Sequence, residues 1–110
     1  MIQQLRIYEI FEHNKEAFHA RFRDHAMPIM RRHGFRILST WESGGAGRTE
    51  FVYLLKWPDS ATKEAAWRAF LDDEEWKEVK RVTRARHGDL VGEIEDRVLT
   101  PTAYSPRPPR

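Results

Sequence analysis

The sequence has no cysteine and no long apolar run. The first absence excludes disulfides, thiolate metal sites and cysteine nucleophiles, and it is typical of proteins in a reducing cytoplasm. The second excludes a transmembrane helix, which needs about 20 consecutive apolar residues. The chain opens on polar Gln3 and Gln4 rather than on a basic segment followed by an apolar one, so no secretory signal is expected. We therefore expect a cytoplasmic protein that does not enter a membrane.

A strong excess of charge of one sign is also missing. The chain has 19 Lys and Arg against 17 Asp and Glu, which gives a formal net charge of +2. Basic side chains do cluster on one predicted helix, at Lys77, Lys80, Arg81 and Arg84, but acidic residues precede them. Because the net charge is small, we interpret this cluster as a solvated face and do not expect a nucleic acid partner.

Motifs for phosphate or metal binding are absent as well. The glycines at 44, 45 and 47 lie between two predicted strands rather than before a helix, which is typical of a hairpin tip and not of a phosphate loop. No two of the five histidines lie four residues apart on one predicted helix, and no His-Glu-x-x-His motif occurs. The sequence predicts neither a metal nor a cofactor.

The patterns that are present predict one α+β domain. Alternation of apolar and polar residues indicates strands at 2–11, 35–41, 49–57 and 91–99. Helical spacing indicates helices that begin near Asn14, Ser60 and Asp72. The order βαββααβ favours a ferredoxin-like four-stranded antiparallel sheet with all helices on one face. This domain covers residues 1–100, and residues 101–110, which hold four of the six prolines, form an extended C-terminal arm.

Two of the predicted strands are apolar on both faces. In the first strand Ile7 opposes Tyr8, and in the third strand Val52 opposes Phe51. An antiparallel sheet with one face in water has apolar residues on its inner face only. Because the helices cover one face, a second copy of the chain is the simplest cover for the other. The sequence predicts a homodimer with the two sheets packed face to face.

Several stretches of the chain resemble the NIPSNAP family. They are LRIY (5–8), FRDHAMPI (22–29), HG (33–34), EAAW (64–67), DEEW (73–76) and LTPTAYSP (99–106). The resemblance implies a dimeric α/β barrel, in agreement with the pattern of the strands, and no settled catalytic activity. Thr100 stands where the family usually has a basic residue. The same fold also carries cofactorless monooxygenases, an activity that fold analogy alone does not transfer.

His25 is the first candidate functional residue. At 100° per residue it falls in one stripe with Phe18, Phe22 and Ile29, where an apolar side chain is expected. A buried imidazole needs a hydrogen-bond partner, and it titrates near neutral pH. Two interpretations stay open: a structural core histidine, or a proton-transfer group in a cleft between helix and sheet.

Arg6 is the second candidate, because a guanidinium inside a strand needs an acidic partner, a ligand anion or water. Glu50, Glu93 and Glu95 on neighbouring strands are the acidic partners expected for a structural ion pair, and the alternative is that Arg6 binds the carboxylate or carbonyl of a ligand. The ligand-binding cleft predicted from the sequence is lined by Arg6, Tyr8, His25, Trp41 and Tyr53. Its aromatic side chains suit a small apolar or aromatic molecule, although most aromatics in a small domain belong to the core.

Two functions follow from these residues. The first is a homodimeric ligand-binding or protein-interaction module of the NIPSNAP type. The alternative is a cofactorless monooxygenase-like enzyme that acts on a small aromatic substrate, with His25 as the group that transfers a proton.

Overall fold

The structure is a computed structural model that describes residues 1–45 and 47–106. The elements are β1 (Ile2–Ile10), a short 3-10 turn (Glu12–Asn14), α1 (Lys15–Arg21), a π-helical turn (Phe22–Ala26), α2 (Met27–Arg32), β2 (Arg36–Ser43), β3 (Thr49–Trp57), α3 (Ser60–Leu71), α4 (Glu74–His87) and β4 (Val91–Leu99). The four strands form an antiparallel sheet in the order β2-β3-β1-β4. The predicted ferredoxin-like order and sheet are confirmed.

The register of the sheet separates an inner face from an outer face. Arg6 lies opposite Tyr53 of β3 and Asp96 of β4, so the even residues of β1 share a face with the odd residues of β3. That inner face carries the buried side chains of β3, which are Phe51, Tyr53, Leu55 and Trp57. Val52 and Leu54 lie on the outer face, which no described helix covers, and they are only half-buried.

Aromatic rings fill the space between the inner face and the helices. Phe51 of β3 contacts Phe18 and Phe22, with ring centres 4.9 and 4.7 Å apart. At the other end of the sheet, Phe35 packs 5.0 Å from Trp57. Aromatic pairs at these spacings add about 0.5–1.5 kcal/mol each to the free energy of burial. The core of this small domain is therefore built largely on interlocking rings.

The π-helical turn corrects one expectation about His25. The side chain is exposed, and the buried residues of this helical segment are Phe18, Phe22, Ala26, Ile29 and Met30. A π turn forms i→i+5 hydrogen bonds and contains more residues per turn than the 3.6 of an α-helix. The buried residues of this turn are Phe22 and Ala26, and His25 is exposed. The prediction that His25 belongs to the apolar stripe is wrong because the helical period changes at this turn.

Small differences from the sequence prediction occur where segments begin and end. Asp59, not Ser60, caps α3 by accepting a hydrogen bond from the Thr62 amide at 2.7 Å. After β4, residues 101–106 are exposed, and a turn in which the Ser105 amide donates to the Thr102 carbonyl (3.1 Å) interrupts the predicted extended arm. The remainder of that arm, 107–110, and position 46 of the predicted hairpin tip lie outside the described residues. None of the helices in the described residues has the length and apolar character of a membrane span.

Gln4 of β1 is a polar residue in the middle of this core, with 1% of its surface exposed. Its carbonyl oxygen accepts from the indole N–H of Trp57 at 2.9 Å and from that of Trp67 at 2.8 Å. Its amide nitrogen donates to both carboxylate oxygens of Asp96 at 3.1 Å. One side chain thus connects β1 with β3, β4 and α3, and every polar atom in the group has a partner.

We expect Gln4→Leu to lower the free energy of unfolding by about 2–4 kcal/mol, because it leaves two buried indole donors without an acceptor. Urea denaturation followed by tryptophan fluorescence measures this change. Gln3→Leu is the matched control, since Gln3 is half-buried on the outer face, and its effect should stay within about 0.5 kcal/mol or be stabilising. Equal losses for the two variants would contradict the role of the amide.

Asp73 caps α4 and ties it to the end of α2. Its carboxylate accepts from His33 Nε2 (2.7 Å), from the Trp76 amide (3.0 Å) and from Arg32 Nη2 (2.8 Å), and these contacts hold the pKa of Asp73 well below its usual value. A carboxylate with a lowered folded-state pKa stabilises the fold above its unfolded pKa of about 4, and this contribution is lost as the pH falls below that value.

We therefore expect Asp73→Ala to lower the melting temperature at pH 7, with the difference from the wild type shrinking between pH 4 and pH 2. Thermal unfolding followed by circular dichroism measures both. Asp72→Ala removes a neighbouring carboxylate that is 83% exposed and should change the melting temperature far less. A difference that persists unchanged at low pH would show that the charge of Asp73 is not responsible.

Candidate ligand-binding site

The guanidinium of Arg6 lies at the centre of a polar cluster on the inner face of the sheet. Its Nε donates to the Tyr53 hydroxyl at 3.4 Å, its Nη2 to the Tyr8 hydroxyl at 3.2 Å and its Nη1 to the Asp96 carboxylate at 3.2 Å. The register of β1, β3 and β4 dictates this meeting, because Tyr53 and Asp96 are the two cross-strand neighbours of Arg6.

The same guanidinium also lies close to two aromatic rings. Its central carbon lies 4.4 Å from the ring centre of Trp67 on α3 and 5.3 Å from that of Tyr8. Both distances fall in the range of cation–π attraction. Burial opposes the charge of Arg6, but the two tyrosine hydroxyls that accept from it raise its pKa overall. Arg6 is therefore a fixed cation in a half-buried, aromatic setting.

The two tyrosines share a short hydrogen bond between their hydroxyl oxygens, at 2.5 Å. Burial raises the pKa of Tyr53, as does the neighbouring Tyr8, and together they outweigh the opposing effect of Arg6. The phenol of Tyr53 therefore stays neutral and can both donate and accept a hydrogen bond. Next to a fixed cation, this pair is suited to binding an oxygen atom that carries negative charge, such as that of a carbonyl or a carboxylate.

The acidic partner of Arg6 differs from the residues expected from the sequence. Glu50, Glu93 and Glu95 were the predicted partners, but the carboxylate that contacts Arg6 is Asp96. Glu50 lies opposite Glu9, and Glu95 opposite Ile7, so their side chains lie on the outer face of the sheet. Asp96 carried a usable signal in the sequence, because it alternates with Ile94 and Val98 on one face of the strand.

The inner face remains open above β4. Ile94 and Val98 lie opposite Tyr8 and Gln4 and thus share the inner face, yet they are 54% and 49% exposed. The helices cover β1 and β3 but leave this strip of β4 accessible to solvent. Arg6 lies at its border, with 15% of its side chain exposed. We call this strip, together with Arg6 and Tyr8, the β4 cleft.

The structure brings together only part of the predicted ligand-binding residues. Arg6, Tyr8 and Tyr53 are in direct contact. Trp41 lies opposite Val52 on the outer face and is 47% exposed, so the sheet separates it from the cluster. His25 lines a groove between the first helical segment and α4. Within residues 1–45 and 47–106, no three His, Asp or Glu side chains are grouped as metal ligands would be.

Comparison with solved structures shows the same architecture in other proteins. An uncharacterised NIPSNAP domain protein from Burkholderia xenovorans superposes with a TM-score of 0.80 at 18% identity, covering 97% of this chain and 100% of that one. A NIPSNAP family protein from Agrobacterium tumefaciens gives 0.80 at 16% identity, with 96% of each chain covered. An antibiotic biosynthesis monooxygenase is more distant, with a TM-score of 0.60 at 13% identity, covering 93% of this chain and 99% of that one.

Comparison with curated proteins finds no match. The sequence does match the model of the NIPSNAP family, over residues 3–106. That range includes all four strands except Ile2, all the helices and the described part of the C-terminal arm. The resemblance seen in the sequence is thus confirmed, and the chain belongs to the NIPSNAP family.

Proposed function

We propose that this NIPSNAP protein is a homodimeric binding protein for a small molecule that has an apolar body and a carbonyl or carboxylate group. The observation that carries the binding function is the β4 cleft, in which the uncovered side chains of Ile94 and Val98, with Asp96 between them, border a fixed cation. A polar group that orients the ligand beside an apolar surface is the usual composition of a small-molecule site.

Arg6 has hydrogen-bonding capacity to offer a ligand. A guanidinium has five N–H groups, and in the described residues three of them donate to Tyr53, Tyr8 and Asp96. Asp96 is 41% exposed. Its carboxylate would therefore stay in contact with water if a ligand displaced part of its contact with Arg6. A ligand oxygen would bind beside Arg6, and the apolar body would cover Ile94 and Val98.

The monooxygenase alternative loses the residue on which it depended. That hypothesis assigned proton transfer to His25 in the cleft, and His25 is exposed in a different groove. The likeness to an antibiotic biosynthesis monooxygenase is a likeness of fold at 13% identity, which does not transfer an activity. The contacts around Arg6 favour binding over catalysis.

The outer face of the sheet supports the homodimer. Leu5, Ile7, Val52 and Leu54 form its centre and are half-buried, while Trp41 and Leu99 at its margins are 47% and 40% exposed. Contiguous apolar surface of this kind marks an interface. A two-fold axis would place this patch of one subunit against the same patch of the other. One interface would therefore cover the patch on both subunits.

The charges at the two ends of the outer face are complementary. At one end Glu9, Glu50 and Glu93 share a single cation, Arg48, with distances of 2.9–3.8 Å. At the other end Arg36 lies opposite Lys56. If the two-fold axis runs across the strands, the acidic end of one sheet faces the basic end of its partner. The charges thus favour antiparallel stacking of the two sheets.

We expect Val52→Lys to raise the dimer dissociation constant by more than about 100-fold, because the substitution buries a lysine on both subunits at the centre of the interface. Sedimentation equilibrium at micromolar concentrations measures this change. Leu71→Lys, at a residue that is 52% exposed in the helical layer, should leave the dimer intact.

The stacking direction has a test of its own in the same assay. Glu50→Lys and Lys56→Glu should each weaken the dimer, and the double variant should restore most of the affinity if the two ends meet across the interface. A wild-type protein that sediments as a folded monomer at micromolar concentration would overturn the homodimer.

Native mass spectrometry of the protein purified from its own cells tests the binding function. We expect the wild type to retain a small molecule and Arg6→Met to lose at least nine-tenths of it, because the guanidinium supplies the charged hydrogen bonds. Arg97→Met is the control, since Arg97 pairs with Glu95 on the outer face of β4. Equal retention by wild type and Arg6→Met would contradict the assignment of Arg6.

A further inference from the structure

A second binding site is indicated on the other side of the helical layer, away from the sheet. A groove of about 380 Å³ runs between the helical segment of residues 15–26 and α4. Its volume lies in the range of small-molecule sites. None of its lining residues belongs to the β4 cleft, so this inference does not rest on the proposed function.

Small side chains explain why the groove exists. Asn14 donates to the carbonyls of His87 and Asp89 at 2.9 and 3.0 Å, which fixes the start of α1 against the end of α4 and makes the two helices antiparallel. Ala17 and Ala20 of α1 then face Val79 and Val82 of α4. Because alanine has only a methyl group, the helices leave an apolar floor between them.

Two cations border this floor. Arg21 and Arg86 line the groove, and neither forms an ion pair with any residue in the described ranges 1–45 and 47–106. Arg21 is half-buried, and that burial lowers its pKa despite the opposing effect of Tyr8. An uncompensated guanidinium in a partly desolvated position is unfavourable until an anion binds to it.

The carboxylates in the groove are already engaged elsewhere. Asp24 accepts two hydrogen bonds from Arg23, at 2.8 and 2.9 Å, and Glu78 accepts two from Arg81, at 2.8 and 2.6 Å. Each pair is bidentate and close to neutral as a unit. The formal charge that remains for a ligand is that of Arg21 and Arg86.

Two further features lie at or next to the Arg21 end of the groove. The guanidinium of Arg21 lies 5.4 Å from the ring centre of Trp76, whose indole nitrogen is buried without a partner among the described residues. The π-helical turn directs His25 into the same end of the groove, and such turns are frequent at functional sites.

We propose that this groove binds a small organic carboxylate, with the carboxylate on Arg21 beside His25 and the apolar body along Ala17, Ala20 and Val82. Arg21 is the anchor rather than Arg86 because it is the more buried of the two cations. The apolar floor selects against inorganic anions, which gain nothing from it.

Isothermal titration with 4-phenylbutyrate tests this site, with 4-phenylbutanol as the uncharged probe and inorganic phosphate as the small anion. We expect the carboxylate to bind the wild-type protein at least tenfold more tightly than either of the others. Arg21→Gln should weaken it at least tenfold. Arg31→Gln, which removes the same charge from an exposed position of α2, should leave it unchanged.

Ala20→Leu keeps every charge and fills the groove, so it should abolish binding of the carboxylate even if Arg21→Gln disturbs the fold. Ala65→Leu, on an exposed face of α3, is its control. Absence of binding to the wild type, undiminished binding to Arg21→Gln or Ala20→Leu, or phosphate affinity equal to that of 4-phenylbutyrate would overturn the proposal. Loss of binding in Arg6→Met with retention in Arg21→Gln would place the ligand in the β4 cleft instead.

Discussion

The amide of Gln4 is the contact on which the polar interior of this domain depends. It accepts two indole N–H groups from different elements and donates to Asp96, which in turn receives Arg6. In a sheet whose inner face is otherwise largely apolar, this chain of hydrogen bonds allows a cation to be held at the edge of the core. The position of α3, through Trp67, is set by the same amide.

The strands could be predicted from the sequence because their period is two and their faces differ in polarity. Arg6, Tyr8 and Tyr53 were placed in one cleft for that reason, and the register brings them into contact. Asp96 was missed although it alternates with Ile94 and Val98, and Gln4 was missed because an ordinary glutamine in a strand has no distinctive spacing. Their roles come from cross-strand neighbours, which only the fold specifies.

His25 and Trp41 were misplaced for two different physical reasons. A constant helical period puts His25 in the core, but a π turn changes the period locally. Trp41 was grouped with the cleft by its aromatic character, whereas its position opposite Val52 puts it on the outer face. There it extends the apolar surface on which the proposed homodimer depends, so the residue gains a different role rather than losing one.

The π turn also has a consequence for how the length of this helix can vary. Residues 27–32 pack Ile29 and Met30 into the core only because the turn before them accommodates an extra residue. A regular α-helix with the same number of residues, without the wider turn, would rotate everything after it by about 100°. The core would then lose two aliphatic side chains at once. Insertions and deletions in this segment therefore affect how the helix packs on the core. Related chains can be aligned across it only when the helical geometry of each chain is known.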